Sequence, residues 1–139
     1  MKFLQLNFLP VGTDLALLVA RVWFGASMLV LHGWGKLTGF GKLAENFPDF
    51  FGIGKTPTAA LAVFGEVVCA ALLVAGLFTR LAAGGLAVTM GVAFFLAHGG
   101  KLTGQGNGEM AFLYLGAYVV LFLTGGGRFA VDAKLGGKS

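Results

Sequence analysis

Four long apolar runs, each interrupted by very few charges, set the pattern of this chain. The first covers about residues 14–35 (DLALLVARVWFGASMLVLHGWG) and the second about 58–78 (TAALAVFGEVVCAALLVAGLF). The third covers about 81–98 (LAAGGLAVTMGVAFFLAH) and the fourth about 107–124 (NGEMAFLYLGAYVVLFLT). A helix needs about 20 mostly apolar residues to cross a bilayer, and each run comes near that length. None shows the polar face that a helix of a soluble bundle turns to water. The pattern predicts an all-α, four-transmembrane-helix bundle, one domain over 1–139. Pro57 suits the start of the second helix, and Gly125, Gly126 and Gly127 end the fourth. Only Thr79 and Arg80 separate the second and third runs, so those two helices are expected as antiparallel neighbours.

The longest connection is the first loop, 39–57 (GFGKLAENFPDFFGIGKTP). Its Leu43, Phe47, Phe50 and Phe51 allow two readings: a broken amphipathic segment in the membrane interface, or a lid packed on the bundle. A short echo also stands out. Residues 32–39 read HGWGKLTG and residues 98–104 read HGGKLTG, identical once Trp34 is removed. Both follow an apolar run on the same expected side. They point to a duplicated helical hairpin, 14–78 and 79–126, of the parallel-repeat kind that some transporters have. Convergent helix endings are the plainer account.

Composition moves the reading firmly to the membrane. Hydrophobic residues make up 57% and charged residues 12%, with a mean hydropathy of +0.85. A soluble domain carries about 25% charged residues. The net charge of +4 comes mostly from basic residues between the runs, which suits lipid headgroups. No basic stripe with interleaved aromatics is present, so nucleic acid is excluded as a partner. Cys69 is the only cysteine, which rules out an internal disulfide, a CxxC couple or a thiolate cluster. It reads as a small buried hydrophobe. Pro10, Asp14 and Arg21 break up the N-terminal region, which therefore reads as a retained membrane helix rather than a cleaved signal. Lys2, Arg80, Arg128, Lys134 and Lys138 fall on the side of the termini; Lys36, Lys42, Lys55 and Lys101 fall on the other, beside Glu45 and Asp49. This small basic excess places the termini in the cytoplasm.

An ionisable group inside a bilayer costs about 2.5–3.5 kcal/mol on insertion scales, so such groups turn inward and find partners. The candidate polar cluster is Arg21, Glu66, His32, His98 and Glu109. Arg21 and His32 share a helix face within about 20°, together with Gly25 and Met28. His98 shares a face with Ala87 and Gly91, beside a small-residue ridge of Ala83, Ala87 and Gly91. Glu109 aligns with Gly116. Arg21 lies about 11 Å and Glu66 about 18 Å from the terminal side. An Arg21–Glu66 ion pair is therefore expected, and pairing would keep Glu66 ionised. His32, His98 and Glu109 gather at the far end, where Lys36 and Lys101 complete a candidate mouth. That mouth reads as a hydrogen-bonded cap, or as a seat for a quinone headgroup or small anion. Two histidines and a carboxylate also make a metal-ligand set, but no spacing motif supports one, so no metal or haem is assigned. The glycine-rich TGQGNGE (103–109) has no preceding strand and no GK[ST]; it is a turn, with Asn107 or Gly108 capping the fourth helix.

Arg21 in the first run, His32–Gly33 with Lys36 at its end, Glu66 in the second run and GLFTR (76–80) come in a fixed order. His98, Glu109 and GGGRFAVD (125–132) continue it. In that order the chain resembles the DoxX family over nearly its whole length. The resemblance implies a four-helix integral protein of the bacterial inner membrane. Relatives are linked to thiosulfate:quinone oxidation, and a mycobacterial one to a membrane oxidoreductase complex handling thiol and oxidative stress. The implied function is a subunit of a membrane oxidoreductase system, quinone-linked, with Arg21, Glu66, His32 and His98 as the carried-over quinone positions. The chain holds no electron carrier of its own, so a protein partner or homo-oligomer is expected beside the lipid bilayer. The alternative is a non-catalytic assembly or scaffold protein whose polar cluster is a structural lock. A small-solute carrier is a third reading and would need to oligomerise. No catalytic residue is assigned.

Overall fold

A computed structural model describes residues 4–6 and 10–136. Lys2 and Lys138, counted above for the terminal side, lie outside the described residues. All regular structure among the described residues is helical. The elements are α1 (Thr13–Thr38), α2 (Phe40–Asn46), α3 (Lys55–Ala75), α4 (Thr79–Ala97), α5 (Glu109–Thr124) and α6 (Val131–Lys134). Three of them, α1, α3 and α4, are long and apolar enough to cross a membrane. The fourth, α5, has 16 residues. At about 1.5 Å per residue it rises about 24 Å, short of a hydrocarbon core of about 30 Å.

The turn between α3 and α4 differs from the expected Thr79–Arg80 link. Gly76 takes a left-handed φ of 73° and Phe78 one of 49°, so α3 stops at Ala75 and Thr79 already belongs to α4. Glycine enters the left-handed region at no steric cost, which makes it the usual helix stop. A Cβ on Gly76 would also collide with Ala130 and with the Arg21 guanidinium, both 2.7 Å away.

Close approach of α1 and α3 depends on two further glycines. A Cβ on Gly25 would lie 2.8 Å from Val74, and one on Gly33 would strike the backbone carbonyl of Glu66. Contacts of 25 with 74 and of 33 with 66 mean that the two helices run in opposite directions. The bundle core holds Met28, Leu73, Leu86, Tyr118 and Leu121, with Ala70, Ala82 and Ala83 between them. Trp23, Leu31, Leu113 and Leu123 point outward, as lipid-facing side chains do. The expected ridge on α4 is only partly used. Ala83 is buried, but Ala87 and Gly91 are half-buried and nothing lies within 4 Å of a Cβ on Gly91. The helix turns Ala82, Ala83, Leu86 and Met90 to the core instead.

The first loop is a lid. It contains α2, and its next turn is organised by Asp49, whose carboxylate accepts from the N–H groups of Gly54 (2.9 Å), Ile53 (3.1 Å) and Phe51 (3.3 Å). The Thr58 hydroxyl adds a fourth bond at 3.2 Å. The Gly54 bond, foremost among these, holds the Asp49 carboxyl below its ordinary pKa. Phe47, Phe50 and Phe51 consequently turn toward α3 and α4, where they line a cavity. The two copies of the HG…KLTG echo share letters but not conformation. Residues 32–38 continue α1, whereas 98–104 form turns in which Gly99 and Gly100 have φ of 60° and 70°.

Replacing Gly33 by alanine should lower the thermal midpoint in detergent, at a cost of about 1–3 kcal/mol for forced overpacking. Gly91→Ala, which meets open space, should leave it unchanged or slightly raised.

Candidate functional site

Arg21 is buried, 2% exposed, in the middle of α1. Its guanidinium does not reach Glu66. It donates to the backbone carbonyls of Val74 (2.5 Å) and Phe129 (2.8 Å), with the charge of Asp132 nearby. Glu66 pairs instead with Lys36, Nζ to Oε1 at 2.6 Å. The expected Arg21–Glu66 pair is thus replaced by two separate arrangements. The cause is the lean of helical side chains toward their own N-terminus. Arg21 leans toward the terminal side, where the last carbonyls of α3 lack intrahelical partners. Glu66, on a helix running the other way, leans toward the far side. Lys36, near the end of α1, leans back into the bundle and meets it.

Asp132 completes the arrangement around Arg21. It accepts from the N–H groups of Phe78 (2.7 Å) and Thr79 (2.8 Å), capping the start of α4. Partial burial pushes its pKa up, but the bonds from Thr79 and Phe78 and the Arg21 charge pull harder, and it stands below the ordinary value. Arg21, the α3–α4 turn and the C-terminal segment are thereby tied together at one end of the bundle.

The far end is built differently. Three stretches of helix wind wider than an α-helix: Leu29–Gly33, Phe64–Cys69 and Ala93–Ala97. In the first and third the N–H groups of Trp34 and His98 reach back five residues to the carbonyls of Leu29 and Ala93. His32 lies inside the first stretch, Glu66 inside the second, and His98 directly follows the third. Such π-helical turns re-aim side chains and occur often at functional sites. Here they bring three polar side chains toward two adjoining cavities. No local feature of composition signals them.

The larger cavity, about 530 Å³, lies between the lid, α3 and α4. Phe47, Phe50, Phe51, Leu61 and Val88 make much of its wall, and Lys36, Glu66 and His98 supply its charged and titratable groups. Cys69 lines it too, as a buried free thiol. The smaller cavity, about 230 Å³, is lined by His32, Met28, Met90, Asn107 and Tyr114 as well as by the same Lys36, Glu66 and His98. The ion pair therefore stands in the wall between the two. Glu66 is 4% exposed, and its second oxygen, Oε2, has no hydrogen-bond partner. Tyr114 sets its ring edge-on to His32, centroids 5.8 Å apart, and its hydroxyl donates to Ser27 at 2.8 Å.

Of the expected cluster, His32, His98 and Glu66 come together and Lys36 joins them. Arg21 stands apart. Glu109 does not turn inward: it is exposed, and so is Lys101, expected at the mouth. Residues 99–107 loop outward, and α5 begins only at Glu109, whose N–H is accepted by Asn107 Oδ1 at 3.1 Å. A carboxylate in a first helical turn gains from water and the helix dipole together, so nothing draws Glu109 inward. The set of two histidines and Glu109 is accordingly not assembled. Met28, on the Arg21–His32 face, lines the smaller cavity; Tyr114 and Met90 line it too, although in the sequence they read as ordinary core residues.

The family model for DoxX matches residues 16–99. That stretch carries Lys36, the lid, Glu66 and His98. The chain belongs to the DoxX family. A protein of Haemophilus influenzae described only as an uncharacterized protein is 35% identical over 117 residues, covering 78% of this chain and 83% of that one. No solved structure matches. This DoxX protein is a membrane protein whose apolar helices contact the lipid bilayer.

The separate polar arrangements give two expected outcomes. Lys36→Ala strands a buried carboxylate and should cost about 3 kcal/mol, the lower end for a broken buried pair because Lys36 is one-third exposed. The double variant Lys36→Met/Glu66→Gln should recover most of that loss in thermal unfolding. A carboxyl with a depressed folded pKa stabilises above its unfolded pKa of about 3.9 and stops doing so as pH falls through the folded value. The midpoint should therefore fall below about pH 4. Asp132→Asn should already be less stable at neutral pH and should lose less on acidification.

Proposed function

We propose that this DoxX protein is a four-span inner-membrane subunit of an oxidoreductase system, with a quinone headgroup seated in the larger cavity. The observation that carries the reading is a chamber of about 530 Å³ with apolar and aromatic walls and one ion pair in them. Ligand sites of about 300–1,000 Å³ typically combine such walls with a few placed polar groups. The phenyl rings of Phe47, Phe50 and Phe51 suit a flat ring. The Lys36 ammonium, with three donors, suits a ring carbonyl. A quinone would supply carriage of two electrons with two protons. Glu66 Oε2 has no hydrogen-bond partner and would take the proton. His32 and His98 stand on the far-end side, where their imidazoles would pass protons to water. Electrons would enter from a partner subunit, because the chain supplies no carrier. In this reading α5 completes the fourth crossing with its flanking residues, neighbouring spans are antiparallel, and the termini are cytoplasmic.

The scaffold reading draws on a different observation. Arg21 is tied to Val74 and Phe129 and lines neither cavity. It behaves as a structural lock, and a duplicated hairpin would use such a lock to hold its halves. The two readings part at the chamber. Gently purified protein should carry a quinone in its organic extract, detected by mass spectrometry. Ala62→Trp, which fills the chamber, should abolish that while the protein stays folded. Extracts without quinone, or equal quinone in the filled variant, would leave the scaffold.

A further inference from the structure

The larger chamber has an open side. Leu61 and Phe64 of α3 and Val88 of α4 line it and are still 53%, 54% and 69% exposed. A wall residue of a closed cavity is shielded by the wall opposite, so these three mark a mouth between α3 and α4. The lid covers a different side, with Phe47 and Phe50 half-buried against the same space.

The mouth lies at mid-depth. Val88 is the central residue of α4 (Thr79–Ala97), and Phe64 precedes Gly65, the central residue of α3 (Lys55–Ala75). The two helices meet at this level, where a Cβ on Gly65 would strike the Thr89 hydroxyl. Helices of this length match a hydrocarbon core of about 30 Å, which puts Phe64 and Val88 about 15 Å from either headgroup layer. Glu66 lies two residues beyond Phe64, about 3 Å along the helix axis, so the ion pair stands at the depth of the mouth. Lys36 and Glu66 cancel each other's charge, and that pair offers polar atoms without a net charge to hold an ion. A phospholipid headgroup is charged, and carrying it to this depth costs the desolvation of that charge. A neutral ring dissolved in the hydrocarbon reaches the same place without that cost.

We propose that the larger chamber loads sideways from the bilayer centre, through the mouth framed by Phe64 and Val88, and that its occupant is a quinone whose long apolar tail stays in that mouth. The proposal rests on the quinone reading above and adds to it the route and the tail. A tailless quinone of the same ring fits the seat but leaves the mouth empty.

The test uses the full chain in detergent, titrated with a long-tailed and a tailless quinone of the same ring. Concentrations are expressed as mole fractions of the micelle, so that partitioning does not count as affinity. Binding is read as the rise in thermal midpoint that an occupied site gives. Val88→Trp, at an exposed position, should stay folded and fill the space of the tail. It should weaken the long-tailed quinone about tenfold or more, as overpacking an occupied space does, and leave the tailless one unchanged. Leu61→Trp should do the same if Val88→Trp does not fold. A long-tailed quinone with a diazirine at the start of its tail should label residues 61–64 and 85–88. Undiminished long-tailed binding in the folded mouth variant, or label confined to lid residues 47–51, would overturn the route and leave the quinone seat standing. A wild-type chain that binds neither quinone overturns the seat and the route together. A phospholipid retained in place of quinone, and lost in the mouth variant, would overturn the proposal in favour of a lipid site.

Discussion

A charge in hydrocarbon must find a partner, and in this bundle the lean of a helical side chain decides which partner it finds. Arg21 and Lys36 sit on one helix and Glu66 on another that runs the opposite way. Arginine leans away from the glutamate and lysine leans toward it. From that single geometric fact come two polar centres at opposite ends of the protein. One ties Arg21 to carbonyls at the end of α3 and after α5, and caps α4 with Asp132. The other places Lys36 and Glu66 in the wall between two cavities.

Both centres leave buried polar atoms without partners: Arg21 Nε and Thr79 Oγ1 at one, Glu66 Oε2 at the other. They differ in the space beside them. The Arg21 end joins chain segments far apart in sequence and borders neither cavity, whereas the Lys36–Glu66 pair lines both. The wide helical turns at Leu29–Gly33, Phe64–Cys69 and Ala93–Ala97 carry or adjoin His32, Glu66 and His98. Regular winding is given up where the polar side chains have to converge.

The helical runs, the membrane setting and the inward turn of His32, Glu66 and His98 were legible in the residues, because hydrophobic length and the cost of buried charge are local properties. The lid was legible as one of two readings, since Phe47, Phe50 and Phe51 are equally at home in an interface or against a bundle. The partner of Glu66 was not legible. Depth along a helix axis gave Arg21, but it ignored the direction in which each side chain leaves the backbone. Glu109 was misplaced because helical phase was extended into a first turn that lies outside the apolar core. Met90 carried no signal, because a methionine in an apolar run is indistinguishable from packing until its neighbours are known.

The sequence by itself determined that this chain is a set of apolar helices in lipid, with scarce ionisable groups that must turn inward. Hydropathy and helix length depend only on neighbours along the chain, so they survive without a fold. Only the tertiary structure decided that Lys36 meets Glu66, that two cavities share that pair as a wall, and that sulfur and imidazole face the same space. Those are meetings between helices, set by opposite running directions, by glycines that let backbones touch, and by wide turns that shift the helical phase of the residues beyond them.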